Sequence, residues 1–132
     1  MRCHSGRVSR LDYRVVDGHI EVLDGGELLW WGDVDGLVAH KVMPLPGTDD
    51  GIVVMDWSHR PPGVEEWHPF PNLMRIRSDG SRVWTAELPP GLGEKSYTGV
   101  EWRDGRLIAH LWANAAELDA DTGTVRSFWF TK

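Results

Sequence analysis

The chain has 132 residues and a mass of 14.9 kDa, which suits one domain and is too short for two cores. Its 41% hydrophobic and 26% charged residues exclude a disordered chain, and no apolar run approaches the roughly 18 residues of a membrane helix. Fourteen Lys and Arg against twenty Asp and Glu leave a net charge of −6 with the cations scattered, so the basic footprint of a nucleic-acid-binding protein is lacking.

In chain order, the first 15 residues hold the densest basic run, Arg2, Arg7, Arg10 and Arg14, and no apolar stretch of the signal-peptide kind. Cys3 is the one cysteine, so no intrachain disulfide forms, which fits a cytoplasmic location. Asp-Gly then recurs six times, beginning at Asp17, Asp24, Asp35, Asp50, Asp79 and Asp104. That dipeptide tolerates positive φ at the tip of a two-residue hairpin and so marks strand reversals. Short β-rich runs lie at about 8–16, 19–24, 27–31, 37–43, 52–57, 72–77, 82–88, 97–102, 106–112, 115–119 and 124–130. No 11-residue stretch carries a helical period free of Gly and Pro. The expectation is one all-β domain over residues 1–132, with about ten short, mostly antiparallel strands.

Alternation separates inner from outer strands. In 106–112, Leu107, Ala109 and Leu111 alternate with Ile108, His110 and Trp112, so both faces are expected to be covered. The run Ile52-Val53-Val54-Met55 reads the same way. In 10–16, Leu11, Tyr13 and Val15 alternate with Arg10, Asp12 and Arg14, the pattern of an outer strand with one wet face. Trp30, Trp84, Trp102, Trp112 and Trp129 fall inside strands and are expected to fill the core or dock sheets.

The segment 58–71, SHRPPGVEEWHPFP, is the unusual connection. Its four prolines keep most of it out of a sheet. A long loop rich in aromatic and ionisable groups is where function sits on an all-β scaffold. Trp57, His59, Arg60, Glu65, Glu66, Trp67 and His68 are the candidate binding residues.

Other chemistry finds little support. Asp33-Val34-Asp35-Gly36 and Asp119-Ala120-Asp121 lack the further ligands of a calcium loop and read as turns. The histidines at 4, 19, 40, 59, 68 and 110 form no paired metal motif. Neighbours along a strand point to opposite faces, so Asp56, Ser58 and His59 are not expected to assemble a triad. Pro89 to Gly93 lacks a following helix and the lysine of a phosphate loop. Neither cofactor nor metal is expected.

A repeat runs through the chain. VLDGGELLW at 22–30 aligns with IRSDGSRVW at 76–84, matching Gly26 to Gly80 and Trp30 to Trp84; LDADTGTVR at 118–126 keeps Gly123 and Val125 but has Arg126 in place of Trp. AELDADTGTVRSFW resembles the turn of a quinoprotein-type (pyrroloquinoline-quinone dehydrogenase-like) propeller blade, and LMRIRSDGSRVW is similar to the same unit. The resemblance implies that Asp119, Thr122 and Gly123 form a turn and that Trp84 docks against the next blade. Residues 52–132 also resemble a group of small uncharacterised bacterial proteins, through the element from Asn72 to Trp84 and the strand from Thr122 to Lys132; no function transfers from them. Three units are too few to close a propeller, so a sandwich, a small barrel or a partial propeller is expected. A monomer is expected rather than a dimer completing a ring.

The sequence therefore points to a non-catalytic binding protein for a macromolecular partner, of which an immunity or antitoxin-type inhibitor is one form. Nucleic acid and membrane are not the expected partners. The alternatives are a small-ligand or carbohydrate-binding module using Trp57 and Trp67, and a metal-dependent enzyme built on His59, Glu65, Glu66 and His68.

Overall fold

The structure, a computed structural model, describes residues 11–132. Arg2, Cys3, His4, Arg7, Arg10 and the start of the strand expected at 8–16 lie outside the described residues. Eleven strands follow: β1 (Leu11–Val16), β2 (His19–Asp24), β3 (Glu27–Gly32), β4 (Ala39–Pro44), β5 (Gly51–Met55), β6 (Leu73–Ile76), β7 (Arg82–Thr85), β8 (Gly99–Arg103), β9 (Arg106–His110), β10 (Asn114–Leu118) and β11 (Val125–Phe130). The described residues contain no helix.

The strands form three antiparallel meanders in chain order, β1-β2-β3, β4-β5-β6-β7 and β8-β9-β10-β11. Local turn chemistry sets this topology. Asp17-Gly18 and Asp104-Gly105 join β1 to β2 and β8 to β9, and all four residues have positive φ, between 51° and 78°, as a tight hairpin whose turn follows strand twist requires. Asp50-Gly51 departs from the expectation. It is no reversal: Gly51 opens β5 and pairs with Pro44.

The three sheets stack in a sandwich-like packing without closing into a barrel. The middle sheet is covered on both faces. Ile52, Val54 and Leu73 pack with Leu107, Ala109, Ala116 and Leu118 of the third sheet, while Val53, Met55, Met74 and Ile76 pack with Tyr13, Ile20 and Val22 of the first. All five residues of β5 are buried, as the unbroken apolar run predicts. β1 is also as expected, with Tyr13 inside and Arg14 out, 3.8 Å from Glu21. In β9 the two-sided expectation holds in an altered form. Leu107 and Ala109 face the middle sheet. Ile108 points away from it yet is only 4% exposed, because Glu101 and Glu117 flank it on the adjacent strands. Their partners His110, Arg106 and Arg126 span that face.

The same joint occurs at both sheet boundaries. The Trp30 ring lies on Gly80, where an added Cβ would come within 2.3 Å of it, and the Trp84 ring lies on Gly123, with 2.5 Å for the same construction. Trp84 Nε1 donates to the Ala120 carbonyl at 2.9 Å, and Arg75 Nη1 donates to the same oxygen at 2.8 Å. Asp50 steadies that guanidinium, 2.8 Å from Nε. Where the third unit has Arg126 for tryptophan, no fourth sheet follows among the described residues, and Arg126 pairs with Glu117 and Asp119 instead.

Three tryptophans expected in the core are exposed. Trp129 lies across from Ala115 on the outer face of the last sheet, which no sheet covers. Trp102 stands beside the Asp104-Gly105 hairpin tip. Trp112 lies beyond β9, which ends at His110 rather than at 112, and is 72% exposed.

Candidate functional site

Between β5 and β6 the chain runs through residues 56–72, fastened at its base by Asn72. This side chain is fully buried. Its Nδ2 donates to the carbonyls of Met55 at 2.7 Å and Tyr97 at 2.9 Å, and its Oδ1 accepts the Tyr97 N–H at 2.7 Å. The Phe70 N–H donates to the Lys95 carbonyl at 2.7 Å. Both ends of the loop are thereby tied to the segment that precedes β8. Buried Tyr97 donates its hydroxyl to the Glu87 carbonyl, and burial pushes its pKa upward.

Arg60 organises the interior of the loop. Its Nη1 donates to the carbonyls of Glu65 at 3.0 Å and His68 at 2.7 Å, and its guanidinium lies 5.8 Å from the centre of the Phe70 ring. His68 Nδ1 accepts the Glu65 N–H at 2.9 Å. The Trp67 ring lies 4.0 Å from the His68 ring and is 69% exposed. Glu65 and Glu66 are exposed.

Asp56, Ser58 and His59 meet in a turn where extended backbone was expected, without forming a triad. β5 stops at Met55, and residues 56–59 form a turn in place of a strand. Asp56 Oδ1 accepts the Ser58 N–H at 2.9 Å and the Ser58 hydroxyl at 2.6 Å, while His59 Nδ1 lies 3.1 Å from Asp56 Oδ2 and 3.3 Å from Ser58 Oγ. A catalytic relay places serine on one imidazole nitrogen and the carboxylate on the other. Here both sit at Nδ1, and the serine hydroxyl is turned to the carboxylate. The arrangement is an Asx turn, and the Ser58 hydrogen bonds, with help from His59, lower the Asp56 pKa.

A cleft of about 290 Å³ opens between this loop and residues 93–98. Trp57, 40% exposed, and Trp112 wall it. The edge of the His40 ring supports Trp57 at 4.9 Å, and the Lys132 ammonium lies over the Trp112 ring at 4.2 Å. Arg60, Lys95, Ser96 and Thr98 complete the lining together with Gly93 and Glu94. The Glu94 carboxylate is occupied: it accepts the N–H groups of Trp112 at 3.2 Å and Ala113 at 2.9 Å, and Asn114 Nδ2 at 2.7 Å. Ser96 Oγ is buried without a hydrogen-bond partner.

Of the sequence-predicted residues, Trp57 and Arg60 line the cleft, whereas His59, Glu65, Glu66, Trp67 and His68 do not. Among the described residues no three His, Cys, Asp or Glu side chains gather as a metal site. The residues that sequence reasoning missed are Lys95, Ser96, Thr98 and Trp112. For Lys95, Ser96 and Thr98 the signal is the Pro/Gly-rich connection Pro89 to Gly93 just before them; Trp112 carries none, since apolar alternation runs on through it.

A second polar cluster lies on the outer face of the third sheet. Glu101 Oε2 is 2.5 Å from His110 Nε2 and 2.8 Å from Arg103 Nη2. Arg103 first, then His110, pulls the Glu101 pKa down to about 2. No helix among the described residues is long and apolar enough to cross a membrane.

A family model described as a domain of unknown function, DUF7957, matches residues 39–130, from the first residue of β4 to the last of β11. The match thus covers the second and third sheets and the cleft between them, and leaves the first sheet outside. No curated protein matches the chain.

Proposed function

We propose a non-catalytic binding role for this chain, which belongs to the DUF7957 family of unknown function: it takes a protruding group of a macromolecular partner into the cleft between Trp57 and Trp112. The observation carrying this reading is that two tryptophans, on different sheets' connections, face one cleft while keeping 40% and 72% of their surface exposed. Exposed aromatic side chains around a concavity dominate binding energies at protein interfaces. An immunity or antitoxin-type inhibitor of a protein partner is the form that suits a small acidic domain. The quinoprotein-type blade reading of the three sheets belongs to the same proposal. It is supported by the recurrence of tryptophan on glycine at Trp30–Gly80 and Trp84–Gly123. The working state is taken to be a cytoplasmic monomer.

A small-ligand or carbohydrate reading is favoured by one observation, a cleft of about 290 Å³ lined by Trp57, Trp112 and Thr98, just below the usual ligand-site range. The test is to pan a random peptide library displayed on phage against the wild-type protein, with counter-selection on a Trp57→Ala/Trp112→Ala double variant. Families of peptides that the wild type retains and the double variant releases are expected. No family dependent on either ring, together with binding on a glycan array, would replace the protein-partner reading with the carbohydrate one.

A further inference from the structure

Resting on that reading, we infer that the group entering the cleft is a carboxylate, presented by an acidic segment of a protein partner beside an apolar or ring-bearing residue.

The argument is one of charge balance. The chain carries a net charge of −6, yet the cleft is lined by the cations Arg60 and Lys95, with Lys132 at the Trp112 ring. Neither Arg60 nor Lys95 is within ion-pair distance of a carboxylate among the described residues. Arg60 Nη1 is held by two carbonyls, which orient the guanidinium without neutralising it. The one lining carboxylate, Glu94, already accepts three donors. Among the described residues the cleft therefore sets two cations without an ion-pair partner beside two exposed tryptophans, and its one carboxylate is already engaged. A carboxylate supplies the missing charge and accepts from the Arg60 guanidinium and the Lys95 ammonium. The two rings add stacking or apolar contact for its neighbour. Two lining cations, with Lys132 at the Trp112 ring, are too few to follow a phosphate backbone across an acidic surface, which favours a discrete carboxylate over nucleic acid.

The peptides selected on the wild-type protein are the probe. They are expected to carry Asp or Glu next to an apolar or aromatic residue. Lys95→Glu should weaken the tightest of them about tenfold, since it removes one attractive pair and creates a repulsive one. Lys95→Arg should retain binding, and raised salt should weaken it. Unchanged melting of both variants shows that the fold is intact. Enriched peptides without acidic residues, or affinities indifferent to Lys95→Glu and to salt, would overturn the carboxylate while leaving the binding role in place. A short oligothymidylate that binds more tightly than the acidic peptides would also overturn it. Failure to enrich any peptide would remove the protein-partner reading and this inference together.

Discussion

The joint between the second and third sheets yields the sharpest prediction. Gly123 has φ +77°, and a Cβ there would come within 2.5 Å of Trp84 Cε3 and 2.7 Å of Cδ2. Gly123→Ala therefore meets three costs. Holding a side-chain-bearing residue in the left-handed region costs about 1–2 kcal/mol. Forcing an extra methyl against a packed ring costs about 1–3 kcal/mol. Trp84 cannot withdraw without loosening its 2.9 Å bond to the Ala120 carbonyl, worth about 1 kcal/mol. The sum is about 3–6 kcal/mol, a large share of the stability of an ordinary domain. For a chain of this length it should lower Tm by roughly 10–20 °C in calorimetry. Gly91 provides the control: its φ is +74°, but a Cβ would meet nothing within 4 Å. Gly91→Ala should cost only the backbone part, about 1–2 kcal/mol. Replacing Trp84 with Leu should relieve the clash, so in that background Gly123→Ala should cost little more than the control. A coupling below about 0.5 kcal/mol between positions 84 and 123 would mean that they do not interact in solution, and the docking argument would fail.

Two further outcomes follow from named contacts. Asn72→Ala leaves the Tyr97 N–H and the carbonyls of Met55 and Tyr97 without their side-chain partner; urea unfolding should register a loss of about 3–5 kcal/mol, and a loss under about 1 kcal/mol would refute the anchoring role. For Glu101, the folded pKa of about 2 lies below the ordinary value of 4.5, so its ion pairs contribute fully above about 4.5 and that contribution fades as pH falls through about 2. A carboxyl NMR titration should place its midpoint near 2 and Glu101→Gln should abolish that part of the acid dependence, whereas a midpoint near 4.5 would show the pairing to be absent in solution.

The strands were readable because their causes are local. Asp17-Gly18 and Asp104-Gly105 permit few structures other than a tight reversal, and Ile52 to Met55 could only be a strand covered on both faces. Trp30 and Trp84 are matched by the sequence repeat alone, and their glycine seats, Gly80 and Gly123, are its structural counterpart. The cleft was not readable, because long-range hydrogen bonds assemble it. Asn72 and Tyr97 are 25 residues apart, and neither carries a periodic mark of the other. Trp112 was assigned to the core because apolar alternation ran past His110, and nothing in the pattern marks where a strand loses its neighbour. Asp56, Ser58 and His59 were separated on the assumption of extended backbone. The side-chain bonds of Asp56 to Ser58 compete with the sheet and turn the chain there.

The two walls of the cleft belong to different layers. Trp57 follows β5 of the middle sheet, and Trp112 follows β9 of the third. A ligand held between them braces the two layers, so occupancy and the integrity of their seam are linked equilibria. On the proposed binding role, ligand at free concentration [L] would raise the free energy of separating the layers by RT ln(1 + [L]/Kd). Conversely, on that role a substitution that loosens the Trp84–Gly123 seam would lower affinity at a cleft it does not touch.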